Sequence, residues 1–155
     1  MSDDTEAGKK TAEFLQSQLD KLPGLKIDVQ TIPYKTRLAR SAKGQFQLVI
    51  TNWGADFSDP ISDLGLFTSD NSFNNGRWAN KEYDKLIDKA NNADANNTQK
   101  RWEDMVKAEK ILMSEQGNAP LYNGVVPQLI NTKVKGYVYN TAGVPWNWKG
   151  VYVEK

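Results

Sequence analysis

The stretch that most constrains this chain is Phe46 to Pro60, FQLVITNWGADFSDP. Phe46, Leu48 and Ile50 alternate with Gln47, Val49 and Thr51, the period-2 pattern of a strand, and Val49 leaves both faces partly apolar. Asp59 and Pro60 then read as a helix start, with a side-chain acceptor at the N-cap and a preset φ at the first helical position. Between the two lie an indole, a glycine and a carboxylate: Trp53, Gly54 and Asp56. Strand passing into helix is the grammar of an open α/β sheet, and such sheets bind ligands just beyond the carboxyl ends of their strands.

The residues upstream fit that grammar. Asp3, Asp4, Thr5 and Glu6 supply acceptors and negative charge at the head of a helix. Leu15, Leu19 and Leu22, with Ala12 and Phe14 beside them, form its apolar stripe, and Pro23-Gly24 stops it. Leu25, Ile27, Val29 and Thr31 alternate with polar residues as a half-buried strand. Pro33 opens a second helix carrying Lys35, Arg37, Arg40 and Lys43, whose simplest reading is a solvated basic face. This order predicts right-handed crossovers and parallel pairing. It also leaves one sheet position, ahead of the first helix, without an occupant, as in a piece of a longer chain.

Downstream, Ile61, Leu64 and Phe67 mark a short helix, and Thr68 to Asn80 a polar loop interrupted by Phe73 and Trp78. Asn80 caps a helix with Tyr83, Leu86, Ile87 and Ala90 on one face. Thr98 to about Gln116 is the longest predicted helix, its buried side formed by Trp102, Met105, Val106, Ile111 and Leu112. Beyond Pro120 the pattern changes to extended chain, Leu121–Ile130, Tyr137–Tyr139 and Val151–Val153, broken by Gly and Pro.

Composition excludes more than it suggests. The sequence has no cysteine and no histidine, which removes cysteine nucleophiles, the Ser-His-Asp triad and zinc sites built from sulfur or imidazole. Nothing in it asks for a cofactor or a metal. With 20 basic against 19 acidic residues the net charge is +1, so nucleic acid is not an expected partner. No apolar run approaches the roughly 18 residues of a membrane span.

As an ordered series, these residues resemble the extracytoplasmic oligopeptide-binding proteins of ABC importers, the family 5 extracellular solute-binding proteins. The likeness begins with Phe46 to Pro60 and continues through Leu64 to Phe67, Asn74-Asn75 and Asn80 to Ile87. It closes with Arg101-Trp102, Ile111-Leu112 and Ala119 to Tyr122. The resemblance implies one lobe of a two-lobed type II periplasmic-binding-protein fold, α/β, a mixed sheet flanked by helices. Residues 1–119 would form the carboxyl-terminal, ligand-binding lobe, and 120–155 the segments that cross back to a first lobe. It implies no enzymatic activity, an oligopeptide ligand, ABC permease subunits as partners, and a location outside the cell on a lipid anchor carried elsewhere. The piece itself would be a monomer that binds weakly or not at all.

Residue by residue, the resemblance gives Asp56 the ligand's α-ammonium and Trp53 the adjacent aromatic wall. It gives the main chain of Asn52, Gly54 and Ala55 the pairing with a peptide backbone. The chemistry agrees: strand addition reads main-chain groups and tolerates many side chains, a carboxylate facing an ammonium makes a charge-assisted bond, and Gly54 admits a second backbone. Some members carry an arginine shortly before the tryptophan; here Ile50, Thr51 and Asn52 fill that stretch. Two other readings compete. A glycoside hydrolase would use Asp56 and Asp59 as a pair about 5 to 9.5 Å apart. A carbohydrate or interaction module would use Trp146 and Trp148.

Overall fold

The computed structural model describes residues 1–155, which divide into two units: Met1–Trp53 with Asn75–Arg77, and Gly54–Asn74 with Trp78–Lys155. In the first, β1 (Ser2–Asp3) pairs in parallel with β2 (Thr31–Ile32), Ser2 opposite Thr31 and Asp3 opposite Ile32. The neighbouring residue of the same ribbon faces the other way, as alternation requires. There the Met1 ammonium donates to the Leu48 carbonyl at 2.8 Å and the Ile50 N–H donates to the Met1 carbonyl at 2.9 Å. β1 is therefore the middle of three ribbons, between residues 30–32 and 48–50. The sheet position expected to be vacant is filled by Ser2 and Asp3.

Of the two predicted strands of this unit, the one over 25–31 is reduced to Thr31–Ile32, and Phe46–Thr51 forms no regular strand, only two main-chain bonds to Met1. A ladder is no longer than its shorter ribbon, and β1 turns after Asp3 into α1 (Glu6–Leu19). Thr5 caps that helix, its Oγ1 accepting the Gly8 N–H at 3.1 Å. Ala12 is buried and Leu15 and Leu19 half-buried, whereas Phe14 and Leu22, expected with them, are exposed. Helix α2 (Tyr34–Ala42) corrects a second expectation. Arg37 is no solvated charge: it is 2% exposed, with Nε 3.8 Å from Asp3 Oδ2 and its guanidinium carbon 5.0 Å from the Tyr34 ring centre. Arg37 and Ser41 stand one turn apart on the buried face, while Lys35 and Lys43 stay in water.

The second unit is built on helices. After α3 (Ile61–Leu64) and a 3-10 turn (Gly65–Phe67) come α4 (Lys81–Asn91) and α5 (Thr98–Ser114), which pack on each other. Asn80 caps α4 through the N–H groups of Glu82 and Tyr83, as predicted, and Asn97 caps α5 through that of Lys100. The core joins Leu64 to Tyr83, Leu86, Ile87 and Ala90 of α4 and to Met105, Ala108 and Leu112 of α5. Trp78 packs edge-on to Tyr83, ring centres 5.0 Å apart. Trp102 is a correction: it is 54% exposed. At about 100° per residue, Met105, Ala108 and Leu112 share one arc of α5, and Trp102 lies roughly 90° round from its centre.

The last 35 or so residues carry short antiparallel ladders. β3 (Val134–Lys135) pairs with β6 (Tyr152–Val153), and β4 (Val138–Tyr139) with β5 (Trp146–Asn147). Residues 121–130, expected as extended chain, hold no regular element and are exposed throughout, Val125 at 87%.

Candidate functional site

Residues 54–62 form the start of the second unit, and three of their side chains have distinct fates. Asp56 is exposed, and its carboxylate makes neither a hydrogen bond nor an ion pair within the chain. Asp59 is the opposite case. Its Oδ1 accepts the Ile61 N–H at 2.9 Å, so it closes the first turn of α3 with Pro60 between them. Both its oxygens are then gripped by Arg101, Nη1 to Oδ2 at 2.7 Å and Nη2 to Oδ1 at 2.9 Å. Arg101 Nε also donates to the Ala90 carbonyl at 3.1 Å, which ties α5 to the end of α4. The Arg101 guanidinium holds the Asp59 carboxyl below its ordinary range, with the Ile61 N–H helping and burial opposing. The pair in turn raises the pKa of Arg101.

The third fate is that of Ser62, buried at the base of the turn. Its Oγ accepts the Asp56 N–H at 2.7 Å. On the other side, the N–H of Gly143, in the link between β4 and β5, donates to the Ala55 carbonyl at 2.8 Å. The main chain leading into Asp56 is thus fastened at two points while its carboxylate stays free. Asn52 and Trp53, at the end of the first unit, are both exposed, Trp53 at 38%.

These facts sort the sequence readings. Asp59 behaves as the capping residue expected of it, and with Arg101 and Ile61 on its oxygens it cannot supply the second carboxylate of a hydrolase pair. Trp146 and Trp148 are exposed, their ring centres 6.4 Å apart, with Tyr137 5.4 Å from Trp148. No group of three or more acidic side chains is placed to hold a metal ion. Sequence reasoning missed Arg101, Ser62 and Gly143. An Arg near a helix start announces no partner 42 residues away. The glycine after Ala142 does signal a turn, and its φ of +72° fits one, but not what the turn touches.

Residues 1–75 match the family model of the bacterial extracellular solute-binding proteins, family 5 (middle). Over those residues the chain matches that family, and it carries part of the α/β type II periplasmic-binding-protein fold. Among its relatives is the dipeptide-binding protein of Lactococcus lactis subsp. cremoris (strain MG1363), 31% identical over 97% of this chain and 28% of the relative. A crystal structure of the peptide-binding protein of a peptide ABC transporter is 50% identical, with a TM-score of 0.71, covering 75% of this chain and 52% of that one. Peptide-bound OppA of Listeria monocytogenes is 36% identical with a TM-score of 0.81, covering 99% of this chain and 29% of that one. The chain spans about three tenths or less of the curated relatives' length. No helix is long and apolar enough to cross a membrane.

Proposed function

We propose that this chain is the ligand-gripping part of a peptide receptor that delivers its cargo to an ABC permease, and that Asp56 receives the peptide's α-ammonium. The observation that carries the reading is the contrast between two nearby carboxylates. Asp59 is consumed by Arg101 and Ile61, whereas Asp56 is presented to solvent with no internal partner on a fastened main chain. A carboxylate so placed is free to form a charge-assisted bond with a cation from outside. Gly54, exposed beside it, lets a second backbone approach, and the Ala55 N–H is a further main-chain group there; the Asn52 main chain, at the end of the first unit, is the other group read as pairing with the peptide. Trp53 supplies aromatic surface at the end of the first unit.

The reading has no chemical step, so the protein is a receptor and not an enzyme. Residues 1–119 belong to the ligand-binding lobe, and 120–155 cross to a facing lobe supplied by the rest of the protein. The exposed apolar side chains Leu121, Val125, Val126 and Leu129 support that assignment. The whole protein works outside the cell, held at the membrane by a lipid. Titrating a randomised pentapeptide pool into the intact receptor and its Asp56→Ala variant tests the proposal. Removing one partner of a desolvated charge pair costs about 2 kcal/mol or more, so the variant should bind at least about thirtyfold more weakly. Equal affinity for both proteins removes Asp56 from the mechanism.

A further inference from the structure

We infer that Ser62 and Gly143 are positioning residues that anchor the root of the Asp56 side chain by clamping one peptide plane. The inference rests on the proposed capture of an ammonium by Asp56 and adds the device that holds it. The Ala55 carbonyl and the Asp56 N–H belong to a single planar peptide group. The Gly143 N–H takes the carbonyl end at 2.8 Å and Ser62 Oγ takes the N–H end at 2.7 Å. A plane bonded at both ends resists rotation and holds the Asp56 N and Cα in place, leaving only rotations about the bonds beyond them to move the carboxylate. The root of the side chain is thereby anchored without any bond to the carboxylate itself.

Each clamp is specific to its residue. Ser62 is 6% exposed, and its own N–H donates to the Asp59 carbonyl at 3.0 Å, so its hydroxyl is seated by the turn that Arg101 locks. Gly143 adopts a φ of +72°, where a side chain is strained, and a Cβ added there would lie 2.8 Å from the Asp56 carbonyl oxygen. No other residue offers its N–H to Ala55 from so close. The clamp also has a consequence for the ligand. With the Asp56 N–H taken by Ser62, an incoming backbone finds no free donor at that position. Beyond it stands the Asp56 carboxylate, and a free amino terminus is the end group that answers it.

The test is capture of a randomised pentapeptide pool, half of it amino-terminally acetylated, by the intact receptor, with retained peptides counted by mass spectrometry. The wild type should retain free-amine peptides in preference to acetylated ones. A hydrogen bond contributes about 0.5–1.5 kcal/mol, so Ser62→Ala should lose roughly two- to twelvefold of that preference. Gly143→Ala should lose at least as much, and acetylated peptides should be retained as before by both. General damage to the fold would lower both classes alike, and that outcome, or an unchanged ratio in both variants, overturns the clamp. A wild type indifferent to acetylation overturns the role of Asp56 instead, so the two failures are distinguishable.

Discussion

Replacing Arg101 with Leu tests the Asp59–Arg101 pair and, through it, the seat of α3. The side chains of Arg101 and Asp59 are 21% and 30% exposed, so the pair lies between a surface bridge and a buried one. Exposed pairs contribute about 0.2–1 kcal/mol, and breaking a buried one costs about 3–5. The two-pronged geometry and the further bond to Ala90 place this site near the middle, about 2 kcal/mol. For a chain of this size that lowers the melting temperature by about 4–8 °C. The acid dependence is a stricter check. Arg101 lowers the Asp59 pKa in the folded chain, so stability from the pair is complete above the ordinary aspartate value of about 3.9 and is lost as pH falls through the lowered folded value. Urea titrations from pH 7 downward should show the wild type about 2 kcal/mol more stable at neutrality, with the gap closing below about pH 4. A gap that holds constant to the lowest pH at which the chain folds would refute the assignment. So would a difference at pH 7 below about 0.5 kcal/mol.

Two further outcomes follow from the core. Tyr83 is fully buried, and its hydroxyl donates to the Leu64 carbonyl at 2.5 Å; burial keeps its pKa well above the usual tyrosine value, with Asp84 and Glu109 adding to the shift. Tyr83→Phe should cost about 1–3 kcal/mol in thermal unfolding by leaving that carbonyl unpaired, and an unchanged melting curve would remove the bond from the account. Leu112→Ala should cost about 2–5 kcal/mol, while Trp102→Ala on the same helix costs under about 1 despite deleting far more side chain. The reverse order in denaturant titrations would mean that α5 is rotated from the position described here.

The helices were legible because their signals are local. Asn80 caps α4, Tyr83, Leu86, Ile87 and Ala90 keep one face, and the Pro23-Gly24 stop falls just past the end of α1. Trp102 departs from the predicted stripe because angular position on the helix, not bulk or apolarity, decides which side chains reach the core. The strands were overestimated for another reason. Alternation at 25–31 and 46–51 describes a side-chain pattern, but ladder length depends on a partner, and β1 offers two residues. No pattern marks Ser2 and Asp3 as a ribbon, since neither is apolar. The cap role of Asp59 was legible, because proline after an aspartate points to a cap. The stabilising partners around Asp56 and Asp59 could not be read, because Arg101, Ser62 and Gly143 are brought in by tertiary packing.

The six residues 92–97 that join α4 to α5 have an effect on how the chain orders itself. Closing so short a link sacrifices little chain entropy, and it brings together most of the apolar side chains that the second unit shields from water. The three ribbons of the first unit must instead gather from positions as far apart as Met1 and Ile50 for a few main-chain bonds. Kinetically the molecule is lopsided: a hairpin of helices that assembles on its own terms, and a sheet that waits for distant pieces to meet.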